Sequence, residues 1–379
     1  MARVYLDWNA TTPLRLEARA AMASAWEVIG NPSSIHAEGR AARALVEGAR
    51  GAIASAVGAQ ISHVVFTSGG TEANGLALTP SLRRENGPPV ERLIVSAIEH
   101  PSVLAGGRFP KEKIAVVPVT PSGLVDLDAL RATIQEGPPA LVSIMLANNE
   151  TGAIQPVAEA ADSIHQAGGL LHVDAVQGLG KIDFNINSIK ADLVTISAHK
   201  LGGPKGVGAL VLAEGVVGLE TRGQGGGQEQ GRRAGTENVP GIAGFGAAVA
   251  ASMKSMVADS ERLAGLRTQL ERQLRDVPGT VIFANEVARL PNTALFAAPG
   301  ISAETALIAF DLAGIAVSSG SACSSGKVQP SHVLAAMGVA PGLARGAIRL
   351  SMGWDTTPRD IECCLEAWRK LSGVLGKGK

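Results

Sequence analysis

Seven short runs of apolar residues constrain this chain more than any other feature. They lie at residues 63–67 (HVVFT), 92–96 (RLIVS), 114–119 (IAVVPV), 140–145 (ALVSIM), 170–173 (LLHV), 193–196 (LVTI) and 208–212 (GALVL). Runs this short and this apolar read as strands buried on both faces. Between several of them stand helical patterns, at residues 17–26, 40–57, 127–135 and 157–167. Strands of this kind, separated by helices, form a mostly parallel sheet covered on both sides, which is an α/β fold.

At 379 residues the chain is too long for one small core, and two domains are expected. Residues 221–235 (TRGQGGGQEQGRRAG) break the rhythm, either as a flexible linker or as a functional loop. A long helical pattern follows, from about residue 242 to 275, and the domain transition is expected within it. Beyond it lies a second α/β segment with strand-like stretches at 279–284, 293–296 and 348–351.

Composition removes several function classes. Lys+Arg and Asp+Glu balance at 34 each, without the basic excess of a nucleic-acid binder. The first residues, MARVYLDWNATTP, contain no apolar stretch of the signal-peptide kind, and the apolar stretch near 241–253 is short and broken by glycines, a poor membrane span. Three cysteines, Cys323, Cys363 and Cys364, offer no CxxC or Cys/His spacing for a metal. A reducing cytoplasm is the expected compartment.

Ligands of open α/β sheets collect where strands end. After HVVFT comes SGGTEAN, where Gly69 and Gly70 let backbone approach an anion and Thr71 adds a hydroxyl at a helix start. A plain strand-to-helix turn would look the same. After LLHV stands Asp174, whose carboxylate needs a cation or hydrogen bonds if buried. A pyridinium nitrogen would suit it, and so would a helix-capping role. After LVTI comes SAHKLGGPKG, which sets Lys200 at a strand end before a glycine-rich turn. Partial desolvation there suits a Schiff-base lysine, while a surface lysine is the plainer alternative. Anion cup, acid and lysine in this chain order together point to pyridoxal phosphate.

The motifs YLDWNATTP, GNPSSIHAEGR, TSGGTEANGLA, EHPSVL, ANNETG, HVDAVQ, SAHKLGGPKGVG, RRAGTENVPG and SSGSACSSGKVQPSHVL span nearly the whole chain. In this order they resemble the cysteine desulfurases of the NifS/IscS type, which are class V, fold-type I pyridoxal-phosphate enzymes. The resemblance implies a large cofactor-binding domain at 14–255, with 1–13 and 256–379 forming a smaller α/β domain. It implies that Lys200 carries the cofactor, Asp174 pairs its ring nitrogen and Gln177 its phenolic oxygen. His100 would stack on the ring and act as an acid or base, with Asn149 on the ring's oxygen side. Gly70, Thr71, Ser197 and His199 would hold the phosphate, and Thr236 would reach the phosphate of a second subunit, which implies a homodimer. Asn31 and Arg349 would bind the substrate carboxylate, a task suited to a guanidinium fork.

Cys323 lies among Ser and Gly residues, a poor setting for a buried thiol and a good one for a reactive loop. Its segment resembles the longer catalytic loop of group I desulfurases. The resemblance therefore implies removal of sulfur from L-cysteine, with L-selenocysteine as an alternative substrate, a Cys323 persulfide, and delivery to an iron–sulfur scaffold or another acceptor. In some bacterial members this cysteine is a cluster ligand; no independent metal site is expected here. Val176 and Ala198 replace the commoner Thr and Gly of their motifs and remove none of these groups. A selenocysteine lyase or an aminotransferase would share Lys200 and Asp174, so Cys323 discriminates. A catalytically silent sulfur-trafficking protein would have lost Lys200, His100 or Cys323. The segment 320–327 resembles a Walker A loop but has one residue too many between its glycines. Cys363 and Cys364 sit in a helical pattern and are expected to pack.

Overall fold

The computed structural model describes residues 3–220, 225–320 and 330–375. Its largest element is a seven-stranded sheet in the order Val64–Thr67, Gly208–Leu212, Leu193–Ser197, Leu170–Asp174, Ala140–Met145, Arg92–Ser96, Ile114–Val117. Each strand grows from one of the seven apolar runs. Gly208–Leu212 is antiparallel to both neighbours, and the other pairings are parallel. The other six strands therefore share one direction, and their carboxyl ends open on the same rim.

Helices cover both faces because the strands are apolar on both sides. Ala37–Val57 buries Ala42, Val46, Ile53 and Val57 against the sheet core and ends at Gly58, whose φ of 71° suits a residue without a Cβ. Leu127–Gln135 begins at Asp126, whose carboxylate accepts the amides of Asp128 and Ala129 at 3.0 Å each. Val157–Gln166 turns Val157, Ala160, Ala161 and Ile164 inward.

The long helix Val239–Leu274 feeds two cores. Its first half places Phe245, Ala248 and Val249 in the core of the large sheet. Its second half packs Leu263, Leu266, Leu270 and Leu274 with Leu6, Phe296, Ile348 and Trp368. That second core lines a four-stranded antiparallel sheet, Val281–Ile282, Thr293–Ala297, Ile348–Ser351 and Ser318–Ser319. The N-terminal strand Val4–Tyr5 pairs with Ile315–Ala316 beside it. By length and composition Val239–Leu274 passes as a membrane span, yet 56% of that apolar window is buried within the protein.

Residues 225–238 are anchored rather than a free linker. Glu229 is buried and accepts Arg50 at 2.7 and 3.0 Å and the Phe66 amide at 3.0 Å. The C-terminal helix Pro358–Leu375 buries Cys364, and burial pushes its thiol up to about 12. That thiol packs in the second core, while Cys363 is half-buried at its edge.

Candidate active site

The shared rim gathers residues from five strand ends. Behind Val64–Thr67, Gly69 caps the helix Gly70–Ala77, whose first residue, Gly70, faces Ser197. A Cβ on Gly70 would stand 3.0 Å from Val176, and one on Gly208 only 2.6 Å from the Gly69 backbone. Small residues therefore let three chain segments close into a cradle. The cavity they enclose is about 450 Å³ and is lined by Gly70, Thr71, Ser197, His199 and Lys205 among others. Burial, then Lys200 and Lys205, pushes His199 down to about 4, so the ring is neutral at pH 7; its Nδ1 lies 3.1 Å from Thr11 Oγ1.

Lys200 ends the short turn Ala198–Lys200 that follows Leu193–Ser197. Its amine donates to the carbonyls of Asn9 at 2.7 Å and Ala10 at 2.8 Å. Burial, reinforced by the nearby Arg349, pushes its pKa down to about 8, against the opposing pull of Asp7 and Asp174. An amine poised at that value is far better prepared to act as a nucleophile than an exposed lysine.

Asp174 is buried at the end of Leu170–Asp174. Its Oδ2 accepts from Asn74 Nδ2 at 2.8 Å and its Oδ1 from the Val176 amide at 3.0 Å, and among the described residues it has no ion-pair partner. Three residues on, Gln177 donates to the Asn9 carbonyl at 3.0 Å and accepts from Lys181 at 2.5 Å. Burial of the Lys181 amine, with Lys200 and Arg349 close, holds its pKa well below the ordinary lysine value. His100 caps the short helix Pro101–Leu104 and faces open space; its Nδ1 meets Ser102 Oγ at 2.7 Å.

Arg349 arrives from the small sheet. It is 3% exposed, and it donates to the Asn149 carbonyl at 3.1 Å and to Asp7 at 2.7 Å. Its Nε is a buried donor with no hydrogen-bond partner among the described residues. Asn149 thus enters the site through its backbone. Asn31 does not join the cluster among the described contacts: it lies on an exposed loop where its Oδ1 accepts the Ser33 amide at 2.9 Å. Thr236 is exposed and lines a neighbouring cavity, of about 230 Å³, that shares Ser68 and Gly206 with the cradle. Cys323 lies outside the described residues. On either side of it, Ser331 donates to the Glu150 carboxyl at 2.6 Å, and a Cβ on Gly320 would sit 3.1 Å from the same oxygen.

Sequence reasoning missed the N-terminal segment as part of the site. Asn9 is buried, receives Lys200 and Gln177 on its carbonyl, and donates its amide to the Asn149 carbonyl at 3.2 Å and Thr293 Oγ1 at 2.9 Å. The signal was the motif YLDWNATTP, whose Asp7 and Asn9 are polar residues in an otherwise apolar neighbourhood. Asn74, within TEAN, was missed for the same reason.

A glycine-rich cradle, a buried carboxylate without an ion-pair partner among the described residues and a lysine with a lowered pKa fit pyridoxal phosphate as a donor set. Comparison with known proteins agrees. A family model for aminotransferase class-V matches residues 4–363. The chain belongs to this family, in its cysteine desulfurase branch. It is 43% identical to a cysteine desulfurase of Cereibacter sphaeroides, over 97% of this chain and 95% of that one. It is 40% identical to the cysteine desulfurase IscS of Dictyoglomus turgidum, over 97% and 94%. The structure of a NifS-like protein from Rickettsia africae superposes with a TM-score of 0.88, at 38% identity over 98% and 99% of the two chains. Pyridoxal phosphate is the cofactor of this desulfurase branch, and the fold is that of the fold-type I enzymes.

Proposed function

We infer that this chain is a cysteine desulfurase that takes sulfur from L-cysteine, releases L-alanine and carries the sulfur as a persulfide on Cys323. The observation that carries this reading is the convergence on one rim of the Lys200 amine, the buried Asp174 carboxylate and the glycine-rich cradle. Bound pyridoxal phosphate supplies an electron sink next to the substrate's α-carbon. Lys200 would hold the cofactor, with Asp174 on its ring nitrogen and Gln177 and Asn149 on its oxygen side. Gly70, Thr71, Ser197 and the neutral His199 would hold the phosphate.

Arg349 is proposed to bind the substrate carboxylate, its Nε being a donor without a partner among the described residues. Asn31 is proposed to join Arg349 on the substrate carboxylate, and Thr236 to reach the cofactor phosphate of a second subunit, which implies a homodimer. The Cys323 thiolate attacks the sulfur of the substrate; an S–S bond forms as the C–S bond breaks, and its electron pair stays with carbon, which takes up a proton. Ser318–Ser319, just before that segment, is paired directly to the Arg349 strand, which supports delivery of Cys323 to the same rim.

The domain division proposed is 14–255 against 1–13 with 256–379, supported by the passage of Val239–Leu274 from one core to the other. An iron–sulfur scaffold or other acceptor, L-selenocysteine as a second substrate, and a cytoplasmic setting complete the proposal.

The test is to incubate the yellow, cofactor-loaded protein with L-cysteine and assay alanine and protein-bound persulfide together. Equal amounts of both are expected in a single turnover. Cys323→Ala should keep the cofactor band and its change on adding cysteine, yet form no persulfide. Lys200→Ala should lower turnover by about 10³-fold or more, the scale of losing a proton-transfer and covalent group. Persulfide formation at the wild-type rate in Cys323→Ala would overturn the assignment.

A further inference from the structure

We infer that Asn74 and Ser102 are positioning residues that fix the imidazole of His100 with its proton on Nε2, through hydrogen bonds in which the Asn74 amide, anchored on the Asp174 carboxylate, donates to Ser102 and Ser102 donates to His100. The inference rests on the reading of His100 as a group that faces cofactor and substrate.

The direction of each of these bonds follows from chemistry. The amide nitrogen of Asn74 donates to Asp174 Oδ2 at 2.8 Å. The reverse orientation would set the amide oxygen against the carboxylate. The same nitrogen lies 2.9 Å from Ser102 Oγ and donates its second hydrogen there. Asn74 Oδ1 is left buried without a partner among the described residues, the cost of pointing the nitrogen at both acceptors. With one lone pair of Ser102 Oγ engaged, its own hydrogen has an acceptor in His100 Nδ1, 2.7 Å away. The Ser102 backbone amide points at the same Nδ1 from 3.2 Å.

Two donors aimed at one ring nitrogen require that nitrogen to be the acceptor. A proton on Nδ1 would face the Ser102 amide head-on and strand the Ser102 hydroxyl hydrogen. The neutral ring therefore carries its hydrogen on Nε2, which has no partner among the described residues. The charged and titratable groups that act on the ring are Asp174, which favours protonation, and Lys200 and His332, which oppose it. Desolvation by burial outweighs them all and, with Lys200 and His332, leaves its pKa below the ordinary value. His100 thus meets a ligand as a hydrogen donor, and the Lys200 amine is left as the group able to accept a proton from the substrate.

The relay is tested in the cofactor-loaded protein carrying ¹⁵N-labelled histidine, with the His100 signals assigned by their loss in His100→Gln. Wild type should show a protonated Nε2 and a bare Nδ1. Ser102→Ala removes the donor that competes with protonation at Nδ1, so the His100 midpoint should rise by roughly half a unit to one unit, the scale of one net hydrogen bond. Asn74→Ala should move it in the same direction by less, and Ser102→Thr should restore the wild-type value. Unchanged far-UV spectra and cofactor band would separate this shift from loss of fold. A protonated Nδ1 in the wild type, or a His100 midpoint unmoved in Ser102→Ala, would overturn the relay. Full turnover in His100→Gln with the midpoint shift intact would instead sink the catalytic reading of His100 and leave the relay standing.

Discussion

The site is built from two regions that solve the same problem in opposite ways. The strand-end region, with Gly70, Asp174, Ser197 and Lys200, consists of residues that follow their own apolar strands directly. The N-terminal segment, with Asp7 and Asn9, belongs to no strand of the large sheet. It is held by partners far along the chain: the Asn9 amide donates to Ser351 Oγ at 2.9 Å, a separation of 342 residues. The strand ends supply the reactive groups, and the segment supplies their orientation. Its carbonyls hold Lys200 and Gln177, while Asp7 holds Arg349. Local structure places chemistry here, and long-range hydrogen bonds aim it.

Asn9→Ala attacks that division most directly. The side chain donates to Thr293 Oγ1 and the Asn149 carbonyl and accepts from Asn292 Nδ2 at 3.1 Å, all in the interior. At about 1 kcal/mol for each net bond, plus groups left unpaired, the variant should lose roughly 2–4 kcal/mol of stability in denaturant titration. Because the carbonyl that receives Lys200 belongs to the same residue, turnover should fall about 10²-fold in the cofactor-loaded protein. A loss of stability with turnover intact would reduce the segment to a cover.

The difference between the regions also explains what the sequence made legible. The positions of the seven strands, and hence Asp174 and Lys200 at their ends, follow from apolar runs, which report burial locally. The reversed direction of Gly208–Leu212 did not follow, because an apolar run carries no polarity and the turn from Lys200 to Gly206 has no helix to force a crossover. Asn9 and Asn74 were invisible as site residues because their roles depend on atoms far along the chain. Glu229 was likewise hidden in a glycine-rich stretch that resembles a linker.

Arg349→Lys sharpens the comparison at its junction, where the small sheet meets the N-terminal segment. A lysine keeps the charge but cannot hold the Asn149 carbonyl and Asp7 while offering a further donor to a carboxylate. The loss of one charge-assisted contact, about 1.5–3 kcal/mol, should raise KM for L-cysteine by about ten-fold or more and change kcat less. Steady-state kinetics with cysteine separates the two parameters. Equal falls in kcat and kcat/KM would instead assign Arg349 to the chemical step.

The smallest effect is expected from Glu99, which supports the strand-end region from beneath. Its Oε1 accepts from Ser96 Oγ at 2.6 Å and the Met145 amide at 2.8 Å, while Oε2 is buried without a partner among the described residues. Burial, with Asp174 adding to it, pushes the carboxyl up to about 8. A carboxyl raised in this way binds its proton more tightly in the folded protein than in the unfolded chain. Its contribution to stability is therefore complete below the ordinary carboxyl range and is lost as pH rises through about 8. Glu99→Gln keeps an acceptor for Ser96 and Met145 and cannot ionise. It should match wild type near pH 5 and melt about 2 °C or more higher near pH 9, measured as Tm across that range. Since Glu99 touches neither Lys200 nor Arg349 in the hydrogen-bond network, turnover at pH 7 should stay within about two-fold. Parallel melting curves for the two proteins across the whole range would mean that Glu99 is ionised in the fold, and that the strand ends tolerate a buried charge that their hydrogen bonding does not explain.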